Sequence, residues 1–346
     1  MIRVGIAGIG FMGMIHYFAY QKVRGAKVVA LCELDPKRRT GDWRTIKGNF
    51  GPQGREMDLS SLAAYADWRH LAADPNVDLI DVCLPPALHA PVTLAALKAG
   101  KHVFCEKPIA LSAADGTQMV AAARQARKLL FIGHVLPFFP EYQFAYQTIL
   151  SRKYGKLIGG HFKRIIADPP WLPDYYRPDK VGGPMLDLHV HDAHFIRLVC
   201  GMPRQVQSVG TLRGEVVERF STQFLFHDPQ LIVTAASGVI AQQGRPFTHG
   251  YEIYLEGATL LFEAATIGKG LDAHTPLTVL LANGKVQRPK VGGDPLRAFV
   301  AEIREVVRAV GRNTPSTLLD GRLARDALIL CQKQTESVLK GKAIKI

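Results

Sequence analysis

The sequence predicts an α/β protein of two domains, and three observations predict it. A chain of 346 residues exceeds what one hydrophobic core usually serves, at roughly 100 to 200 residues per domain. Its first third alternates short apolar runs with helical stretches, the pattern of a doubly wound parallel sheet. After Pro140 the pattern changes to period-two segments separated by turn residues, which reads as antiparallel strands. The boundaries expected are a Rossmann-type domain over residues 1–134 and a second α/β domain over 135–346. The closing helices, residues 295–312 and 316–340, are expected to pack back toward the first domain.

Composition narrows the class. Hydrophobic residues make up 47% and charged residues 21%, enough to bury a core, so a disordered or low-complexity chain is excluded. Cys32, Cys83, Cys105, Cys200 and Cys331 are scattered and form no C-x-x-C pair, which argues against a disulfide framework or a cysteine zinc site and fits a reducing cytoplasm. The opening MIRVGIAG enters a strand at once and no later run reaches 18 apolar residues, so neither export nor a membrane span is expected. The net charge of +13 is spread along the chain and not gathered into a basic arm, so no nucleic-acid partner is expected.

The elements follow in order. IRVGIAGI is a buried strand running into GIGFMG, in which Gly8, Gly10 and Gly13 complete G-x-G-x-x-G, with Phe11 and Met12 between them. A helical stretch follows, and the strand AKVVALCE ends in Glu33, twenty residues after Gly13. That context makes the motif a dinucleotide cradle. Gly8 permits the turn, Gly10 lets a pyrophosphate approach, Gly13 allows close helix packing, and Glu33 accepts from a ribose 2′-hydroxyl. A carboxylate there repels a 2′-phosphate, so NAD is favoured; Lys37, Arg38 and Arg39 keep NADP as the alternative. VDLIDVCLP is the next strand, PVTLAALKAG a helix closed by Gly100, and KHVFCEKP another strand. Ser112 caps a further helix, and LLFIGHV is the strand after it. Ligands of such sheets collect at the carboxyl ends of strands, which places Leu84, Pro85 and His89, and then Glu106 and Lys107, beside the cofactor.

GIGFMG, CLPPALHAPVTLAALKAGKHVFCEKP and GGPMLDLHVHDAHFIRLVCG together resemble the signature regions of the glucose-fructose oxidoreductase, inositol dehydrogenase and MocA (Gfo/Idh/MocA) family, and the likeness extends to the closing LDGRLARDALILCQKQTES. The resemblance implies a large open sheet in the second domain, a homo-oligomer (dimer or tetramer), and a dehydrogenase or reductase acting on a secondary hydroxyl of a sugar, cyclitol or polyol. It assigns Lys107 to holding substrate and cofactor, His191 to taking or giving the substrate hydroxyl proton, and Asp187 to orienting or contacting it. It also leaves open a glycosidase that oxidises C3 transiently, for which His161, His189 or His194 would supply an extra base, and a non-catalytic NAD-binding regulator.

The residues of the third region carry a geometric expectation. If Pro184 opens an α-helix, Asp187 and His191 share a face with His194 one turn on, while His189 lies about 200° round from Asp187. A metal held by Asp187, His191 and His194 would need a further ligand such as His161, and no metal is expected. For substrate contacts the candidates are Trp171 and Tyr176, in the proline-rich ADPPWLPDYYRPDK, with Arg164 and His194.

Overall fold

In the computed structural model the chain forms two units, Met1–Phe139 with Gly293–Arg325, and Pro140–Gly292 with Asp326–Ile346. The described residues are all but Asn49, Trp171 and Lys269, and the side chains of 270–274 also lie outside the description. The first unit runs to Phe139 where a boundary at 134 was expected, and it takes residues 293–325 out of the second.

Six parallel strands, β1 (Ile2–Ala7), β2 (Ala26–Cys32), β3 (Ala63–Tyr65), β4 (Leu79–Val82), β5 (His102–Glu106) and β6 (Leu130–Gly133), lie in the order β3-β2-β1-β4-β5-β6. The order reverses between β1 and β4, the place where such sheets open a crevice for a ligand. Helices α1 (Phe11–Tyr20), α2 (Pro36–Arg39), α3 (Trp68–Ala73), α4 (His89–Lys98) and α5 (Ala113–Ala126) connect the strands. Two expected punctuation marks act as read: Gly100 has a φ of +77° after α4, and the Ser112 hydroxyl accepts from the Asp115 N–H at the start of α5.

The later helix α8 (Leu296–Arg312) completes this core. Leu296, Phe299, Val300, Ile303, Val306 and Val307 fall at helical spacing and are buried with Val4, Ile6, Ile15, Phe18 and Trp43 in one cluster. Such a stripe must be covered, which is why a segment so far along the chain belongs to the first unit. Glu302 interrupts the stripe and is fully buried with it.

The second unit holds α6 (Pro140–Leu150), α7 (Val190–Cys200) and strands β7 (Leu157–Ala167), β8 (Gln205–Arg213), β9 (Val216–Leu225), β10 (Ile232–Ile240), β11 (Phe247–Leu255), β12 (Ala258–Ile267), β13 (Gly270–Leu281), β14 (Val286–Gln287) and β15 (Ile344–Lys345). They form one sheet of order β14-β13-β12-β11-β7-β10-β9-β8-β15, antiparallel except where β10 meets β7. One face is apolar: Phe162 of β7 meets Phe195 of α7, and Tyr142 of α6 sits among Phe195, Tyr251 and Phe262. Helix α9 (Gly321–Lys340) begins in the first unit and ends in the second. Among the described residues no helix is long and apolar enough to cross a membrane.

Candidate active site

In the first unit the glycine loop has the shape a pyrophosphate requires. Gly8 has a φ of +94°, and a side chain there would come within 2.6 Å of the Cys83 carbonyl oxygen. A Cβ at Gly13 would lie 2.0 Å from the Gly8 carbonyl oxygen, so α1 packs where only glycine fits. At Gly10 a Cβ would meet no described atom within 4 Å, leaving the space open where an anion would approach the start of α1. Phe11 and Met12 are part-exposed at that start.

Glu33 stands just beyond β2, and its carboxylate accepts from the Ile9 N–H at 2.7 Å and the Asp35 N–H at 2.9 Å. The carboxylate is thereby held against the glycine loop. Arg39 donates to the carbonyl oxygens of Glu33 and Leu34, while Arg38 lies 3.8 Å from Asp35 and its buried Nε makes no hydrogen bond among the described residues. This arrangement fits a dinucleotide whose ribose reaches the end of β2.

Beyond β4, Leu84 is part-exposed and Pro85 exposed, as a contact surface needs. His89 departs from the expectation of a cofactor contact. It is buried, with Nδ1 2.7 Å from the Pro108 carbonyl oxygen and Nε2 2.7 Å from that of Leu84, so its ring ties together the loops after β4 and β5. Glu106 is likewise turned inward: one oxygen accepts from the Lys107 N–H at 3.1 Å and the other lies 3.1 Å from His16 Nε2. Lys107 itself is part-exposed, and its peptide to Pro108 is cis.

In the second unit the D-x-x-x-H segment differs from the expected uniform α-helix. Met185–His189 form a π-helix, and α7 starts only at Val190. Single π turns within helices recur at functional sites, because the extra residue per turn re-aims side chains that regular spacing would direct elsewhere. From residue 183 to 196 every position is buried except Asp187 and His191. Two polar side chains four residues apart are therefore the part of this segment that reaches the surface.

The other histidines are placed differently. His194, expected to assist from the same stripe and to contact substrate, is fully buried. His189 is also buried, 3.0 Å from Gln334 Nε2 through its own Nε2 and edge-on to Phe220, and burial pushes its pKa down to about 4. It stays neutral and enclosed. His161 is exposed on the face of β7 opposite Phe162 and Arg164, with Nδ1 2.5 Å from the Thr234 hydroxyl, so it points away from α7.

Arg164 was expected at the substrate. Instead its Nε and Nη2 donate to the Asp192 carboxylate at 2.7 and 3.0 Å, and both side chains are almost fully buried. Asp192 faces β7 to make this pair. Next to it Tyr142 stacks on His249, whose pKa burial lowers to about 3. Tyr176 is part-exposed and donates to Asp168 at 3.0 Å, with the Arg213 guanidinium 4.1 Å above its ring. Trp171 lies outside the described residues.

Sequence reasoning passed over His16 and Asp81. His16 sits in an otherwise apolar helix face, and Asp81 is a charge at the centre of the buried strand VDLIDVCLP. A carboxylate in a fully buried parallel strand is the anomaly that would have signalled them.

Comparison with known proteins agrees with this layout. Residues 2–134 match the model of an oxidoreductase family with an NAD-binding Rossmann fold, and residues 142–261 match the GFO/IDH/MocA C-terminal domain. The chain is 32% identical over 258 residues to 1,5-anhydro-D-fructose reductase of Ensifer adhaerens, covering 71% of this chain and 73% of that protein. It is 31% identical over 202 residues to myo-inositol 2-dehydrogenase of Thermotoga maritima, covering 58% of this chain and 55% of that one. Among solved structures, a levoglucosan dehydrogenase complexed with NADH and levoglucosan superimposes with a TM-score of 0.80 at 18% identity, over 100% of this chain and 99% of that chain.

Proposed function

We propose, since this chain belongs to the Gfo/Idh/MocA family of oxidoreductases, that it interconverts a secondary hydroxyl and a ketone on a sugar, cyclitol or related polyol, with NAD as the favoured cofactor. The observation that carries the reading is the exposure of Asp187 and His191 alone within a segment otherwise buried from residue 183 to 196. When bound, the nicotinamide supplies a hydride acceptor. The chain's own residues then have to handle a proton and a developing charge. His191 takes the hydroxyl proton, which an imidazole does well near neutral pH. Asp187 orients His191, and the Lys107 cation stabilises negative charge on the substrate oxygen.

The redox glycosidase is the weaker reading. Its candidates for an extra base are enclosed at His189 and His194 and turned to the other sheet face at His161. Incubation of the purified protein with NAD and a panel of inositols, anhydrosugars and aryl glycosides separates the two. Stoichiometric NADH from a polyol supports the dehydrogenase, whereas aglycone release without net NADH overturns it.

Preference for NAD rests on Glu33, which supports the glycine loop and sets a negative charge where a 2′-phosphate would lie. For Glu33→Ala we expect the ratio of kcat/KM for NAD to that for NADP to fall by about tenfold or more, the scale of a lost hydrogen bond to a charged group. An unchanged ratio in steady-state assays would remove Glu33 from cofactor selection.

A further inference from the structure

We propose that His16 is a positioning residue for the reaction: an imidazolium locked between Asp81 and Glu106, it holds the carboxylate that accepts the Lys107 backbone N–H and so sets where Lys107 begins. The inference rests on the reading of Lys107 given above.

His16 is fully buried on α1, with its ring stacked on Phe104 at 5.2 Å and 3° between planes. Its Nδ1 lies 2.9 Å from Asp81 Oδ2, and its Nε2 lies 3.1 Å from Glu106 Oε1. The Nδ1 contact is a hydrogen bond, whereas Nε2 meets Glu106 as a close charge contact without hydrogen-bond alignment, so a positively charged ring is what complements a carboxylate on each side. Glu106 then uses its second oxygen on the Lys107 N–H at 3.1 Å. On its other side is Gly133, where a Cβ would stand only 3.2 Å from the carboxylate, so the end of β6 leaves room for this side chain and no more.

The groups facing His16 come from four elements. They are Asp81 on β4 and Cys83 just after it, Glu106 at the end of β5, Tyr20 on the same helix, and Glu302 on α8. Burial opposes the charged ring, but the interaction with Asp81, 2.9 Å from Nδ1, is the largest of those that raise the His16 pKa well above the ordinary value. Glu302 is pushed up by burial and by Glu106, and Cys83 by burial and by Asp81, which keeps both neutral. His16, Asp81 and Cys83 also have the composition of a metal site. However, 2.9 Å between Nδ1 and Oδ2 is a hydrogen-bond length, shorter than the edge of about 3.3 Å between two ligands on a tetrahedral zinc.

The test uses the full chain and three readouts. His16→Phe keeps a ring on Phe104 and removes both nitrogens; we expect kcat to fall about 10- to 100-fold, the scale of a misplaced reacting group, with NADH affinity by fluorescence titration little changed. Adding Glu106→Gln should cost no more than the worse single change, since the two act through one link. In protein with 15N-labelled histidine at pH 7.5, both His16 nitrogens should be protonated, and Glu106→Gln should move their shifts. A folded His16→Phe with lowered Tm but unchanged kcat overturns the proposal, as do additive losses or a neutral His16 ring. Where His16→Phe does not fold, His16→Gln is read by the same criteria. If the wild type oxidises no polyol the proposed function fails, and the ring's protonation and its response to Glu106→Gln decide the clamp by themselves.

Discussion

Replacing His191 with alanine is expected to lower kcat by about 10² to 10⁴, the range for loss of a general base, while NADH binds as before. Cofactor affinity is expected to persist because Gly8, Gly10, Gly13 and Glu33 all belong to the first unit, whereas His191 lies on α7 of the second. The loss should shrink as pH rises, since hydroxide increasingly substitutes for the missing imidazole. His189 is the internal control. It is two residues away but enclosed, bonded to Gln334 and held neutral, so His189→Phe should alter Tm far more than kcat. Stopped-flow or steady-state rates for the two variants discriminate the roles. If His191→Ala keeps its kcat within about tenfold of the wild type, the assignment of the proton to His191 is wrong.

Asp192→Ala is expected to lower the stability of the second unit by about 3 to 5 kcal/mol, because it leaves the Arg164 guanidinium buried with no counter-charge. The attraction within the pair does not set this number. What sets it is the desolvation of a cation in a site built from Tyr142, His249 and Phe247, none of which supplies an anion. For a unit of this size the loss corresponds to roughly 6 to 20 °C in Tm. Arg164→Met with Asp192→Leu removes both charges and should recover most of it, as buried ion pairs replaced by apolar residues often are neutral. Differential scanning calorimetry on the three proteins would expose the opposite result, a single variant melting within about 2 °C of the wild type.

Much of this was legible in the residues. The glycine loop could be assigned position by position because each glycine answers a local demand, a positive φ, an open approach or a close packing contact, and Glu33 follows at a distance fixed by one helix and one strand. The antiparallel strands of the second unit were equally readable, since burial on one face imposes period two. The three-residue strand β3 was not. Ala63–Tyr65 is too short to show a period and is paired only because β2 lies beside it. Nor could the π turn at Met185–His189 be read, because its hydrogen bonds differ from those of an α-helix without any change in composition.

The sequence by itself determined the fold class and the nucleotide loop, since these depend on contacts within a few residues or within one repeat of a helix or strand. Only the tertiary structure decided which polar groups are available. Arg164, His89, Glu106 and His194 read as ligand contacts along the line of the chain, yet each is buried, and the first three spend polar atoms on Asp192, on two carbonyls, or on His16 and a backbone N–H. Their partners stand between 1 and 90 residues away. A buried polar group must be satisfied by whatever folding brings beside it, and no local pattern encodes that partner.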